Sequence, residues 1–247
     1  MLSVILASAN ASAATLTLST EDFPPFNHDE KGVATGPLAE IVGTVCRHMQ
    51  TNCVIETLPW RRVMGEVNEG KLDGAFPLVR LPEREQIFYF IGPVVETSYA
   101  IYANSGNTFQ YLDAKDLNGY TIGVYGPSGT SAIVKQITSN IASVKLEMEL
   151  DNLTVLKKLS VGRYGSKGVG FLNRNVAQYL ISEGHIANVR FAGVVQRQEY
   201  YIGLSRKSVP PDLAAKFGEA FAALNQSGEL ATIIRKYGLE PAPPNAR

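Results

Sequence analysis

The stretch VIETLPWRRVMGEVNEGKLDGAFPL, residues 54–78, predicts a strand, a helix and a second strand in immediate succession. A β-like run over Val54–Leu58 is followed by Pro59, which favours the first turn of a helix, and by Gly70, which favours its end. A further run over Leu72–Leu78 predicts the second strand. Because a helix between two strands lets them lie in the same direction, this stretch predicts a mainly parallel sheet with helices on its faces.

The same alternation of strands and helices extends over most of the chain. Before the stretch, Leu16–Leu18 predicts a strand and residues 37–49 predict a helix. After it, a second α/β unit is predicted, with strands at residues 120–125, 142–150, 169–172 and 189–191 and helices at residues 128–138, 152–161 and 175–182. The two units share this order of elements without a close sequence repeat, so we predict two lobes of similar architecture.

Two extended segments predict a hinge between the lobes. These are Tyr99–Ala103 and Tyr200–Leu204, and two helices are expected after the second of them, at residues 210–225 and 229–237. In the simplest arrangement the chain enters the second lobe near Ala100 and returns near Arg197. We therefore expect a first lobe of residues 14–100 and 197–247 and a second lobe of residues 101–196.

The composition is that of an ordinary globular protein and does not point to nucleic acid as a partner. Of the 247 residues, 45% are hydrophobic and 19% are charged, and 23 Lys and Arg balance 23 Asp and Glu. This balance provides no basic excess to attract nucleic acid or an anionic membrane. The histidines at positions 28, 48 and 185 lack the spacing of a metal site, so we predict neither a metal nor a cofactor.

The first residues, MLSVILASANASA, predict a signal peptide remnant over residues 1–13. An apolar stretch ends there in small residues, and the site Ala11-Ser12-Ala13 would leave a mature chain that starts at Ala14. The alternative is a buried first strand. No other segment approaches the roughly 18 apolar residues that are needed to span a bilayer.

Cys46 and Cys53 are the only cysteines. The first lies in the predicted helix at residues 37–49 and the second opens a β-like run, and a helix, turn and strand in that order can bring two Cα atoms within disulfide range. In an oxidising compartment this arrangement favours a bridge. Two buried free thiols are the alternative.

Several short segments are each weakly informative, but their order and spacing together are specific. They are TEDFPPF at 20–26, GPLAEIV at 36–42, LPWRR at 58–62, GKLDG at 70–74, PERE at 82–85, FYFIGP at 88–93, DLNGYTIGV at 116–124, NQSGEL at 225–230 and IRKYG at 234–238. Through them the chain resembles the family 3 extracellular solute-binding proteins, the periplasmic receptors of polar amino-acid ABC transporters. The resemblance covers almost the whole mature chain, and the spacing of Cys46 and Cys53 matches a bridge seen in some members.

The resemblance implies a type II periplasmic-binding-protein clamp. Each of its two α/β lobes would hold a mainly parallel sheet flanked by helices, and two strands would form the hinge. A monomeric periplasmic protein of this kind captures a small carboxylate-bearing ligand between its lobes, an amino acid or a related organic acid, and passes it to a membrane ABC permease. It performs no chemistry on the ligand.

Arg84 is the first candidate for ligand binding. It follows the predicted strand Leu72–Leu78 in a polar loop, and parallel sheets place ligands at the carboxyl ends of their strands. A guanidinium can hold a carboxylate through two parallel hydrogen bonds, and the resemblance implies that the matching Arg holds the ligand carboxylate. The alternative is a surface Arg that pairs with Glu83 or Glu85.

Four residues of the first lobe are further candidates for the wall of the site. The resemblance implies a polar contact from Asp22 and an aromatic wall from Phe23, although this segment also fits a plain turn. Trp60 and Phe76 are placed to line the ligand or to fill the lobe.

In the second lobe, Ser128, Gly129 and Thr130 begin a predicted helix, whose free N–H groups attract anions. A capped helix without a ligand is the alternative. Asn173 stands where the resemblance implies a carboxylate that holds the ligand ammonium. Pro77 and Val79 stand where hydroxyl residues are usual. These departures favour a carboxylate without an ammonium, or a more apolar ligand.

Two other functions remain open at this point. Some proteins of this fold are dehydratases or lytic enzymes, for which Glu21 and Asp22 would be the first candidate residues, although no Gly-x-Ser-x-Gly motif is present. The chain could also be the sensing module of a receptor, which would require an attached membrane helix.

Overall fold

The computed structural model describes residues 15–243, so the predicted signal peptide remnant lies outside the described residues. Seven helices are found in this range: α1 Pro37–His48, α2 Trp60–Glu69, α3 Gly129–Thr138, α4 Asn152–Ser160, α5 Arg174–Glu183, α6 Pro211–Gln226 and α7 Glu229–Lys236. Each corresponds to a predicted helix within a few residues. No helix within this range combines the length and the apolar character needed to cross a membrane.

Eleven strands form one mixed sheet within the described range. They are β1 Leu16–Thr20, β2 His28–Glu30, β3 Val33–Thr35, β4 Cys53–Thr57, β5 Gly74–Leu78, β6 Phe88–Asn104, β7 Thr121–Tyr125, β8 Lys145–Glu149, β9 Gly168–Asn173, β10 Val189–Ser205 and β11 Glu240–Pro241. The order across the sheet is β2-β3-β4-β1-β5-β10-β6-β9-β7-β8, and β11 pairs with β6.

The sheet has two halves, each built on three parallel strands. In one half β1 pairs in parallel with β4 and β5, and in the other β7 pairs in parallel with β8 and β9. We call the half with β1–β5 and its helices the first lobe, and the half with β7–β9 and its helices the second lobe. The predicted fold class, a two-lobed α/β clamp with mainly parallel sheets, is confirmed.

Strands β6 and β10 connect the lobes and are longer than the sequence suggests. Each is 17 residues long, and they pair with each other in antiparallel fashion. Strand β10 pairs with β5 of the first lobe, and β6 pairs with β9 of the second. The predicted strands were shorter because polar and Gly-Pro positions interrupt the hydrophobic pattern. The lobe boundaries at residues 100 and 197 remain a prediction, and both positions lie within these long strands.

Two small elements were not predicted. The hairpin of β2 and β3 covers residues 28–35, and β11 adds a two-residue strand beside β6. Both are too short to produce a periodic pattern in the sequence.

Local signals in the sequence position the helices that border the cleft. Gly70 ends α2 in the left-handed conformation, with φ 77°. At the start of α3, the Ser128 hydroxyl accepts a hydrogen bond from the backbone N–H of Ser131, and the Ser131 hydroxyl accepts one from the N–H of Ser128. This capping box holds the first turn of α3 at the end of β7.

Cys46 and Cys53 form a disulfide, as predicted, with their Cα atoms 6.2 Å apart. The bridge joins α1 to the first residue of β4 and closes a short loop within the first lobe. Neither cysteine lines the cavity between the lobes that is described below.

Replacing both Cys46 and Cys53 with Ala should lower the free energy of unfolding by about 1–3 kcal/mol, because a short loop contributes modest entropy to the unfolded chain. Urea denaturation of the two proteins measures this difference. Ligand affinity should stay within a factor of about two, because the bridge lies away from the cleft. Two free thiols in the native protein would contradict the prediction.

Candidate functional site

A small cavity lies between the two lobes, near the carboxyl ends of β1, β5 and β7. Its volume is about 30 Å³, and it is lined by Glu21, Phe23, Trp60, Pro77, Val79, Arg84, Tyr99, Tyr125, Ser128, Gly129, Thr130 and Tyr200. Pockets that hold small molecules usually measure about 300–1,000 Å³. The lobes are therefore closed on each other in this structure, and a ligand would enter when they are apart.

Arg84 lies at the end of a short 3₁₀ turn, Pro82–Arg84, and is 8% exposed. Its Nη1 donates a hydrogen bond to the carbonyl oxygen of Val79 at 3.1 Å. Within residues 15–243, no carboxylate lies within ion-pair distance of this guanidinium. Burial lowers the pKa of Arg84 below its ordinary value. The cleft thus contains a buried cation without an anionic partner.

The alternative of a surface Arg paired with a neighbouring Glu does not describe Arg84. Glu85 pairs with Arg80, whose side chain is 54% exposed. Arg84 instead faces Trp60, and its guanidinium carbon lies 5.9 Å from the centroid of the Trp60 ring. This cation–π contact compensates part of the cost of burying the charge.

Two of the predicted aromatic residues line the cavity and one does not. Trp60 begins α2 and is buried, and Phe23 follows β1 and packs on Phe26 with ring centroids 5.6 Å apart. Phe76 is fully buried in the hydrophobic core of β5, and its neighbour Pro77 lines the cavity instead. Successive side chains of a strand point to opposite faces of the sheet, which explains why Pro77 faces the cavity when Phe76 faces the core.

Glu21 rather than Asp22 lines the cavity. Asp22 is exposed, and its carboxylate accepts a hydrogen bond from the backbone N–H of Asp29 at 3.1 Å. Across the cleft, the Tyr125 hydroxyl of the second lobe donates to Oε2 of Glu21 at 2.7 Å. Burial raises the pKa of Glu21 to about 7, while the Tyr125 hydrogen bond opposes this shift. This hydrogen bond directly links the lobes when they are closed.

The predicted start of α3 meets the first lobe at the cavity. Ser128, Gly129 and Thr130 all line it. A β-carbon at Gly129 would lie 2.9 Å from Cγ2 of Val79, so the backbone of the second lobe approaches the first lobe closely at this glycine. The Thr130 hydroxyl donates to the Tyr99 hydroxyl at 3.4 Å.

Asn173 lies next to the site but does not line the cavity. It is 1% exposed, and its amide nitrogen donates to the hydroxyls of Thr97 at 2.9 Å and Tyr200 at 3.0 Å. Its amide oxygen accepts from the N–H of Val176 at 3.1 Å and caps α5. Its polar atoms are therefore used within the protein.

Tyr125 was not predicted as a site residue, and Glu21 was predicted only as a candidate of the alternative enzyme function. Both lie at the carboxyl ends of parallel strands, a position that could have identified them. Tyr99 and Tyr200, which reach the cavity from β6 and β10, were not predicted either. No sequence signal places these two, because their approach depends on the pairing of the long strands.

No group of three or more His, Cys, Asp or Glu residues within residues 15–243 is placed to hold a metal ion. The chemistry that the cavity offers consists of one cation, one carboxyl group, several hydroxyls and aromatic walls. These groups suit the binding of a small polar anion.

Solved structures share this fold. A histidine kinase sensor domain with similarity to periplasmic binding proteins has a TM-score of 0.79 and 18% identity, over 92% of this chain and 98% of its own. An ancestral arginine-binding protein bound to arginine has a TM-score of 0.77 and 22% identity, over 90% of this chain and 97% of its own. The arginine-, lysine-, histidine-binding protein ArtJ from Geobacillus stearothermophilus has a TM-score of 0.76 and 19% identity, over 92% and 97% of the two chains.

Sequence comparison identifies the family. A comparison with curated proteins gave no match. The sequence model of the bacterial extracellular solute-binding proteins, family 3, matches residues 16–240, which covers both lobes and the strands that connect them. The chain therefore belongs to the bacterial extracellular solute-binding proteins of family 3.

Proposed function

We propose that this protein is a monomeric periplasmic receptor that captures a small carboxylate-bearing ligand between its lobes and presents it to a membrane ABC permease. The observation that carries the proposal is the buried, unpaired guanidinium of Arg84 in the interlobe cavity. A buried cation without a partner is costly, and a ligand carboxylate would supply the missing charge and two hydrogen bonds. The solved arginine-binding structures support an amino acid or related acid as the ligand class.

We also propose that the two lobes close on the ligand, because residues of both lobes meet at the cavity. The lobes touch through the hydrogen bond between Glu21 and Tyr125 and through the contact of Val79 with Gly129. A ligand that binds Arg84 in one lobe and the first N–H groups of α3 in the other would gain all of its contacts only in the closed state. Such a ligand shifts the population toward closure.

The ligand would leave this site unchanged. The cavity groups support recognition, and we propose no role for Glu21 or Asp22 in catalysis. The test is to incubate the protein with the ligand that mass spectrometry identifies in extracts of the purified protein. Complete recovery of that ligand supports a binding function, whereas a turnover product would support the enzyme alternative.

Ligand sensing is a second candidate function, favoured by the similarity to a histidine kinase sensor domain. Crosslinking of the ligand-loaded protein in cells separates the two. Ligand-dependent crosslinks to a multi-span permease support transport, and crosslinks to a signalling kinase support sensing.

Arg84→Ala should remove most of the ligand affinity. Losing one partner of a buried, hydrogen-bonded charge pair typically costs about 2–5 kcal/mol. This corresponds to a dissociation constant about 30-fold to several thousand-fold higher. Arg84→Lys should restore little of it, because an ammonium lacks the planar fork. Calorimetry with the identified ligand measures both variants.

Arg80→Ala is the matched control, since Arg80 is exposed and pairs with Glu85 outside the cavity. It should bind like the wild type. Wild-type affinity in Arg84→Ala would show that Arg84 does not hold the ligand.

Gly129→Val should prevent full closure, because even its β-carbon would lie within 3 Å of the Val79 side chain. We expect the affinity to fall at least about tenfold and the ligand-induced compaction of the wild type in small-angle scattering to be lost. Gly218→Val is the control, since Gly218 lies on α6 outside the cavity and a β-carbon there would meet its nearest atom, Cδ1 of Ile91, at 3.4 Å. Compaction of Gly129→Val to the wild-type radius would argue against the clamp mechanism.

A further inference from the structure

The charges around the cavity are unequal. Arg84 provides a buried cation, and Glu21 is the single acidic residue among the lining residues of the described chain. Asp22 and Asp151 do not line this cavity, but they line an adjoining depression that shares Glu21, Phe23 and Tyr125 with it. Whether the cleft accepts a second cation from a ligand therefore depends on the state of Glu21 and on the remaining hydrogen-bond acceptors.

Glu21 is poorly placed to act as an anion in the closed cleft. Burial raises its pKa to about 7, even though the hydrogen bond that its Oε2 accepts from Tyr125 stabilises the anion and opposes this shift. The titratable groups that face it are Asp22, Tyr125 and Tyr200, and Asp151 and Arg61 lie near Tyr125. At neutral pH a large fraction of Glu21 is therefore a carboxylic acid, which donates a hydrogen bond as well as accepting one.

The other polar groups offer few acceptors to an ammonium. The amide of Asn173 is fully used by Thr97, Tyr200 and the N–H of Val176. The hydroxyl of Tyr99 is engaged with those of Thr130 and Tyr200.

The wall of the cavity beside Arg84 offers no further hydrogen-bond acceptor to an ammonium. Pro77 and Val79 present apolar side chains there, and the Val79 carbonyl already accepts from Arg84.

We propose that the cleft selects a small carboxylate whose remaining part carries no positive charge, such as a 2-hydroxy or 2-oxo acid, over the amino acid with the same side chain. The proposal rests on the proposed function, in which Arg84 holds the ligand carboxylate. An ammonium enclosed here would lose its water without a full anionic partner, which is costly. A hydroxyl or keto group loses less water and can accept a hydrogen bond from the protonated Glu21.

Calorimetry at pH 7 with matched sets of ligands tests this selection. Each set contains an L-amino acid, its L-2-hydroxy acid and its 2-oxo acid, with methyl, isobutyl, benzyl and carboxymethyl side chains. In the set that binds best, we expect the hydroxy or oxo acid to bind at least about tenfold more tightly than the amino acid.

The outcomes separate this inference from the proposed function. Equal or tighter binding of the amino acid overturns the selection and leaves carboxylate capture intact. If no member of any set binds, carboxylate capture is overturned. The selection of hydroxy or oxo acids over amino acids is then overturned as well.

The pH dependence provides a second readout. Burial in this structure raises the pKa of Glu21 from its ordinary value of 4.5 to about 7. We infer that separating the lobes exposes Glu21 and restores its ordinary pKa, so that closure takes up a proton. Affinity for the best hydroxy or oxo acid should therefore fall about tenfold per pH unit between pH 5 and pH 7 and level off above that range. A ligand ammonium paired with Glu21 would favour the carboxylate form and remove or reverse this slope.

Glu21→Gln should bind the same acid with a flat pH profile, because an amide does not titrate. Glu219→Gln is the control, since Glu219 is exposed on α6, and it should keep the wild-type slope. Thermal melts of both variants show whether they are folded. A flat or rising profile in the wild type, or an unchanged slope in Glu21→Gln, overturns the role of Glu21.

Discussion

The antiparallel pairing of β6 with β10 is the interaction on which the rest of this structure depends. Each strand is 17 residues long, and the pair joins the lobes, because β10 pairs with β5 of the first lobe and β6 pairs with β9 of the second. The pairing shifts register near Gly193, Gln196 and Ile202. Such irregularities bend and twist a strand locally, which suits the hinge predicted between the lobes. It also carries Tyr99 and Tyr200 to the cavity.

A chain of hydrogen bonds connects the cavity to these strands. The Thr130 hydroxyl bonds to that of Tyr99, which bonds to that of Tyr200. Asn173 continues the chain from Tyr200 to Thr97. The chain joins the second lobe to both long strands, so a change in the cleft reaches the connection through polar contacts as well as packing. Buried polar networks of this kind favour a single arrangement when every member is satisfied.

The site itself is defined by a charge that the protein leaves unpaired. Within the described residues, Arg84 donates a hydrogen bond to the carbonyl of Val79 and faces the ring of Trp60, and no carboxylate lies within ion-pair distance of it. The opposing carboxyl group, Glu21, is bonded to Tyr125 of the other lobe. In the proposed function, one lobe provides the charge that binds the ligand carboxylate, while the contact between the lobes involves a carboxyl group whose pKa is raised to about 7. Recognition and closure would then be coupled, because both would take place in the same small cavity.

The sequence by itself determined the fold class, the seven helices, the disulfide and the position of Arg84 after β5. These follow from local signals: hydrophobic periodicity, prolines and glycines at helix ends, and short segments in a family-specific order. Only the tertiary structure decided that Glu21 rather than Asp22, and Pro77 rather than Phe76, line the cavity. It also decided that the amide of Asn173 is hydrogen-bonded to Thr97, Tyr200 and the first turn of α5. The physical reason is that tertiary contacts decide where a side chain faces and which groups it bonds to. These contacts depend on how strands that are distant in sequence pair and on how the two lobes meet.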